Sequence, residues 1–320
     1  MPSLTVVHLG NPDYAEHLGK KSSESDVALR SFKEGDALVS VIQAIRYPEK
    51  PQPLAYAVGA ADAGLLVAGA ITKEIGEQIL AADAAGIERG VIVLQNYLDP
   101  TQIKPLLKGT TLEKWQIVED RPPTVRAALA GLTVGMAPAE AAAGRVSVDH
   151  HFNVKGVGEV ALGFVQGGPV KKHDTLRVFP TRKTAQVRSI QVHDVDVEEA
   201  AIGDHVGLAL KGVETADLDR GYVLAPEGAM QIIEEKRNFK LDLRISAFYK
   251  QGVDLGKVYT LVVGWQAIPV KIKAGMGVPG AKGTFEAETH KALTYAKGQH
   301  GILLDADAKG LRVVGRADLP

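Results

Sequence analysis

The period of the hydrophobic pattern changes near Gly144, and no fold of a single class accommodates both halves. Before that point, apolar runs at Leu4 to Leu9, Ala37 to Ile42, Ala63 to Val67 and Val91 to Leu94 alternate with amphipathic stretches at Leu54 to Ala61, Lys73 to Ala85 and Thr124 to Leu132. Short apolar runs with helix-period segments between or after them argue for buried strands in an α/β sheet. After it the strands become short and alternating, with turns at Gly167-Gly168-Pro169, Phe179-Pro180 and Gly203-Asp204, the texture of an antiparallel barrel. A third section begins near Phe239, with strand patterns at Lys240 to Phe248, Val258 to Val263, Val270 to Lys273, Gly283 to Thr289 and Leu311 to Val314. The expected division is an α/β unit over 1–134, an Ala-rich, Pro-bearing linker over 135–144, a barrel over 145–228 and a second barrel over 229–320.

Composition narrows the classes of function. The chain has 320 residues, 45% hydrophobic and 23% charged, enough for two or three real cores. The absence of cysteine excludes disulfides and thiolate zinc sites. A formal net charge of −1 argues against a globally basic nucleic-acid binder, while local basic patches stay open. No run approaches the roughly 20 apolar residues of a membrane span, and no signal-peptide pattern opens the chain, so a cytoplasmic protein with no membrane partner is expected. His150 and His151 are neighbours in a strand pattern and point to opposite faces, so no shared metal ion is expected there.

The stretch Asp149-His150-His151-Phe152-Asn153-Val154-Lys155-Gly156-Val157-Gly158-Glu159-Val160-Ala161-Leu162-Gly163, continued by Gly167 to Leu176, resembles the second domain of EF-Tu and SelB-type translation factors. The resemblance extends through Val187 to His193, Ala200 to Ala209 and Asp219 to Leu224. Gly156-x-Gly158-x-x-x-x-Gly163 has the wrong spacing for a dinucleotide loop and sits within strands, where glycines let barrel strands bend. The resemblance implies an α/β, G-domain-like (P-loop NTPase-like) sheet followed by two antiparallel β-barrels. In that family the second domain holds the aminoacylated end of tRNA.

Relatives of this kind run on GTP, and here the nucleotide motifs depart from the pattern. A phosphate loop needs Gly-x-x-x-x-Gly-Lys-Ser/Thr after the first strand, so that backbone N–H groups cradle the phosphates and the lysine neutralises them. The strand ends at Gly10, but Ala15-Glu16-His17 stands where Gly-Lys-Ser/Thr belongs, and a carboxylate there repels phosphate. Gly19-Lys20-Lys21-Ser22 offers an alternative phosphate loop, although eight residues separate Gly10 from Gly19 where the motif allows four. The family's Asp-x-x-Gly-His is replaced by Gln43-Ala44-Ile45-Arg46-Tyr47, which removes the magnesium-supporting Asp and the hydrolytic His. Ala61 to Val67, with Gly76-Glu77-Gln78 beyond, still looks like the strand and helix that follow in these GTPases. Asn96-Tyr97-Leu98-Asp99 stands where the guanine-reading Asn-Lys-x-Asp would lie. Gly10, Asn96 and Asp99 are thus the nucleotide-binding remnant, with Asn96 and Asp99 read as turn and capping residues or as guanine contacts.

Three functions follow as expectations. The first is a pseudo-GTPase, with no catalytic residue and no cofactor, that binds tRNA or the ribosome without a hydrolysis switch. Its RNA-binding patch is Lys171, Lys172, Arg177, Arg182, Lys183 and Arg188, six cations against one nearby acid, Asp174; the alternative is a solvated barrel face. The second is a divergent but active elongation factor that binds GTP or GDP through Lys20, Lys21 and Ser22 and delivers a tRNA. The third is a regulator that docks on a protein partner or self-associates into a homo-oligomer through Arg46 to Pro53, a segment stiffened by its prolines.

Overall fold

The computed structural model describes residues 3–133, 144–192 and 194–320; the expected linker, apart from Gly144, lies outside them. The α/β part is one seven-stranded sheet. Its strands are β1 (Ser3–Gly10), β2 (Lys20–Glu24), β3 (Val27–Glu34), β4 (Ala37–Ala44), β5 (Ala63–Ala68), β6 (Gly90–Leu94) and β7 (Gln116–Val118), in the spatial order β2-β3-β4-β1-β5-β6-β7. β1 runs parallel to both β4 and β5, and β5, β6 and β7 continue in parallel. β2 and β3 add antiparallel edges beside β4.

Helices cover both faces. They are α1 (Gln52–Gly59), α2 (Lys73–Ala84), α3 (Pro100–Leu107) and α4 (Pro122–Gly131). α2 begins where the Thr72 hydroxyl accepts the Ile75 N–H, satisfying one of the donors that a helix start leaves free. α1 and α2 bury Leu54, Ala55, Val58, Ile75 and Ile79 against Val7, Leu9, Ile42 and Leu66. Val125 and Leu129 of α4 pack with Leu4, Val6, Val41 and Val93 on the other face. Alternation along β1 divides its side chains between these two cores.

Two closed six-stranded antiparallel barrels follow. The first contains β8 (Arg145–Val154) and β9 (Gly158–Gln166) and runs Thr175–Phe179, Val223–Ala225, β8, β9, His205–Lys211 and Lys183–Val192 before returning to Thr175–Phe179. At Gly163 a Cβ would lie 2.3 Å from the Ser147 carbonyl oxygen, so the bend beside β8 leaves room only for glycine. The second barrel closes through Asn238–Ile245, Lys282–Thr289, Gln266–Ala274, Val258–Val263, His300–Leu304 and Val313–Asp318.

The three parts meet without a seam. Tyr56 of α1, Trp265 of the second barrel and Phe164 of β9 stack in a row, with centroids 5.5 and 5.6 Å apart. The Arg220 guanidinium lies 4.8 Å from the Tyr56 ring centre and 4.9 Å from that of Trp265, and pairs with Asp26 at 2.8 Å. Glu77 of α2, 1% exposed, binds Arg312 of the second barrel in a fork: Nη2 to Oε1 at 2.5 Å and Nε to both oxygens at 3.1 and 3.2 Å. Arg312 also donates to the Pro48 carbonyl at 2.8 Å and stands over the Tyr47 ring. Part of the Arg46–Pro53 segment, expected as a docking surface for a partner, therefore docks on this chain's own second barrel. Among the described residues, no helix is long and apolar enough to cross a membrane.

Candidate functional site

In a sheet of this kind ligands bind beyond the carboxyl ends of strands where connections leave in opposite directions. That place is the end of β1 and β4, since the chain leaves β1 toward β2–β4 and leaves β4 through α1 toward β5. A crevice of about 210 Å³ opens there, lined by His8, Gly10, Gln43, Tyr47, Leu54, Glu74 and Gln78. Gly10 has φ +90°, and a Cβ on it would sit 1.8 Å from the Val67 carbonyl oxygen.

The chain after Gly10 does not lead into an α-helix. It forms a six-residue 3-10 turn, Pro12–His17, and then enters β2. Four amides at its start have partners within the chain. Gly10 N–H donates to Gln78 Oε1 at 2.5 Å, and Asn11 N–H to the Val67 carbonyl at 2.9 Å. Asp13 N–H donates to Asn11 Oδ1 at 3.1 Å and Tyr14 N–H to the Asn11 carbonyl at 3.3 Å, while Pro12 has no N–H. Side chains complete the closure: Gln43 Nε2 donates to the Pro12 carbonyl, and Asn11 Nδ2 to Gln95, which in turn donates to Asp120.

Gly19, Lys20, Lys21 and Ser22 are not near that crevice. Lys20, Lys21 and Ser22 lie in the edge strand β2, whose partner is β3, and a Cβ on Gly19 would meet the Ser31 carbonyl at 2.3 Å. Lys20 and Lys21 instead face a cleft of about 480 Å³ between β2–β3 and the first barrel, together with Arg30, Gln191, Asp194 and His205. Lys21 pairs with Glu24, and Arg30 with Glu16 at 3.3 Å. His205 packs at a tilt against Phe164, with centroids 4.7 Å apart, and has Asp149 at 3.4 Å. Nothing in the sequence joins residues 20–30 to 191–205; only the docking of the two parts creates this cleft.

Asn96 and Tyr97 adopt φ of +52° and +59°, the left-handed turn conformation that asparagine tolerates. Asp99 caps α3: its Oδ1 accepts the Thr101 N–H at 2.8 Å and the Thr101 hydroxyl at 2.6 Å, and Gln102 completes a capping box. The Thr101 hydroxyl and amide hold this carboxyl below its ordinary pKa. The geometry accounts for both residues by local turn and cap chemistry.

The six patch cations are more fully paired than their neighbourhood in sequence suggests, which corrects the count of one acid. Lys171 meets Glu199 at 3.3 Å, Lys172 Glu198 at 2.9 Å, Arg177 Glu227 at 3.1 Å, Arg182 Glu234 at 2.9 Å and Lys183 Asp217 at 3.7 Å. Arg188 donates to the Val157 carbonyl at 2.8 Å. The acids come from segments that strand pairing and loops bring alongside. These pairs are open to solvent and worth about 0–1 kcal/mol each, so they exchange readily for a stronger anion. Among the described residues, no three His, Asp or Glu side chains are grouped to hold a metal ion.

Comparisons with known proteins agree with this architecture. The family model for elongation factor Tu domain 2 matches residues 158–225. An uncharacterised protein of Methanocaldococcus jannaschii is 34% identical over 321 residues, 98% of this chain and 99% of that one. The selenocysteine-specific elongation factor of the same organism is 34% identical over 128 residues, 40% of this chain and 27% of that factor. The crystal structure of elongation factor SelB from Methanococcus maripaludis, in complex with the GTP analogue GPPNHP, superposes with a TM-score of 0.80 at 20% identity, covering 99% of this chain and 78% of that one. A bacterial selenocysteine-specific elongation factor gives 0.81 at 20% identity, over 100% of this chain and 58% of its own.

Proposed function

The chain belongs to the EF-Tu/SelB-like family of translation elongation factor-like proteins, and on that premise we propose that it is a pseudo-GTPase that binds RNA or the ribosome in the cytoplasm without a hydrolysis switch. The observation that carries this reading is the turn after β1. Phosphate binding there requires free N–H groups at the start of a helix. In this chain the amides of Gly10, Asn11, Asp13 and Tyr14 are engaged within the chain, a short 3-10 turn rather than an α-helix follows, and the nearest lysines in sequence are on an edge strand. Without a phosphate cradle or a lysine, transition-state charge at a terminal phosphate finds no stabilising partner.

RNA is the partner class that its relatives suggest, and two surfaces can serve it. The cleft with Lys20, Lys21 and Arg30 on one wall and barrel residues on the other suits a single-stranded end. The patch from Lys171 to Arg188 suits backbone contacts of lower specificity. The first test is calorimetric titration with GTP, GDP and a non-hydrolysable analogue, with and without magnesium. Absence of heat at protein concentrations near 100 µM, about the weak-binding end of the affinity scale, is expected. Micromolar magnesium-dependent binding would overturn the reading in favour of a divergent GTP-binding factor. In ribosome and tRNA binding assays, reversing charge at Lys20 and Lys21, or at Lys171 and Lys172, should weaken binding and flatten its salt dependence; unchanged affinity removes the altered surface from the proposal.

A further inference from the structure

A row of like charges crosses the outside of the second barrel. Along Asn238–Ile245 alternate residues are buried, and Arg244 belongs to the exposed set. Its direct neighbours across the strands are Lys282 on one side and Arg316 on the other. Opposite positions on paired strands lie about 5 Å apart, and like charges placed there repel. Among the described residues, Arg316 is the one member of the row with an ion-pair partner: its Nε donates to Asp318 at 2.8 Å. Arg244 and Arg316 line a cavity of about 240 Å³, to which the α/β part contributes Leu80 and Ala84 of α2 and Lys108 beyond the end of α3. Lys108 brings a third cation. Among the described residues, Asp83 is the one acid in the lining, and its Oδ1 already accepts the Thr111 N–H at 2.8 Å. Phe248 lines the same cavity and is 50% exposed.

Three cations against one acid leave a surplus of two positive charges beside an open aromatic ring. A dianion matches that surplus, and guanidinium groups hold phosphate oxygens through parallel N–H donors. The volume lies below the roughly 300 Å³ at which sites for drug-sized ligands begin, so the ligand is small. We propose that this cavity binds a small phosphomonoester, its dianionic phosphate held by Lys108, Arg244 and Arg316 and its organic part laid on Phe248. The phosphate also relieves the repulsion between Arg244 and Arg316. A phosphodiester carries a single charge and is the poorer match, which separates the cavity from the RNA surfaces. Nothing at Gly10 or at the strand-end crevice bears on it, so the fate of the pseudo-GTPase reading leaves it untouched.

The test is titration of the full chain with phenyl phosphate, inorganic phosphate and a short RNA oligonucleotide lacking terminal phosphates, at an ionic strength held constant with chloride, followed by backbone amide NMR and by melting temperature. Phenyl phosphate should shift the amides of Gly109, Ser246, Phe248 and Gly315 saturably in the millimolar range, too weakly to register in the nucleotide calorimetry above, and should raise the melting temperature. Arg244→Gln should weaken that binding about tenfold, the worth of one charge-assisted hydrogen bond. The same change should not lower the melting temperature of the free protein, because it removes the centre of a row of like charges. Phe248→Ala should cost phenyl phosphate about threefold and inorganic phosphate nothing. Absence of saturable shifts at these amides overturns the site, as does undiminished binding by Arg244→Gln. An RNA oligonucleotide that moves the same amides at lower concentration than phenyl phosphate overturns it too, and gives the cavity to a nucleic-acid backbone. The shifts are read first on the unsubstituted protein and decide the matter even if a variant does not fold.

Discussion

His8 can become charged only at the cost of putting an ion into a dry sheet. Burial, with the Arg30 guanidinium adding to it, lowers its pKa from 6.5 to about 4. Between those values the unfolded chain takes up a proton that the folded chain refuses, so stability is full above pH 6.5 and declines as pH falls toward 4. The loss should reach roughly 3 kcal/mol, since each tenfold difference in proton affinity is worth about 1.4 kcal/mol. His300, also lowered by burial, contributes with the same sign. Denaturant midpoints measured from pH 4 to 8 should show this slope, and His8→Phe should flatten most of it. Gly10 makes a different demand. Alanine there needs both a positive φ and space already held by the Val67 carbonyl, and guanidinium unfolding of Gly10→Ala should report a loss of about 3 kcal/mol.

The elements differ in how plainly their residues announce them. β1, β4, β5 and β6 are continuous apolar runs buried on two faces, so composition alone reveals them. β2, Lys-Lys-Ser-Ser-Glu, has no apolar residue and exists because its backbone pairs with β3 at the sheet edge. For that reason Lys20, Lys21 and Ser22 read as a loop in the sequence. α3 was hidden by Pro105 within it, although Asp99 and Gln102 carry its start signal. At the crevice, Gly10 and the end of β1 were legible, while Gln43 and Gln78 were not, because their roles are set by elements distant in sequence. The pairing of α2 with the second barrel is equally invisible in a linear reading and energetically concentrated. Glu77→Ala leaves Arg312 largely buried without its partner, and urea unfolding should show a loss of about 3–5 kcal/mol. Replacing both residues by leucine should recover much of it.

At the scale of the molecule, the stack of Tyr56, Trp265 and Phe164 under Arg220 makes the α/β part and both barrels one body. Scattering profiles should therefore be the same with and without a GTP analogue and magnesium. A change in radius of gyration on nucleotide addition would contradict both the fixed junction and the proposed lack of a switch. Arg220→Ala removes a cation from two ring faces and a partner from Asp26, and should lower the melting temperature and speed amide exchange in α1. The core beneath α1 and α2 includes Phe164, Val262, Trp265, Ile302, Leu304 and Val313. One wall of the α/β part is thus supplied by a barrel synthesised after it. At about 5–20 residues per second, the nascent α/β segment waits on the order of ten seconds or more with that face uncovered. Its sheet can pair early, but its maturation is tied to completion of a barrel encoded far downstream, and an abortive or early-terminated product would present the same apolar face to the chaperones of the cell.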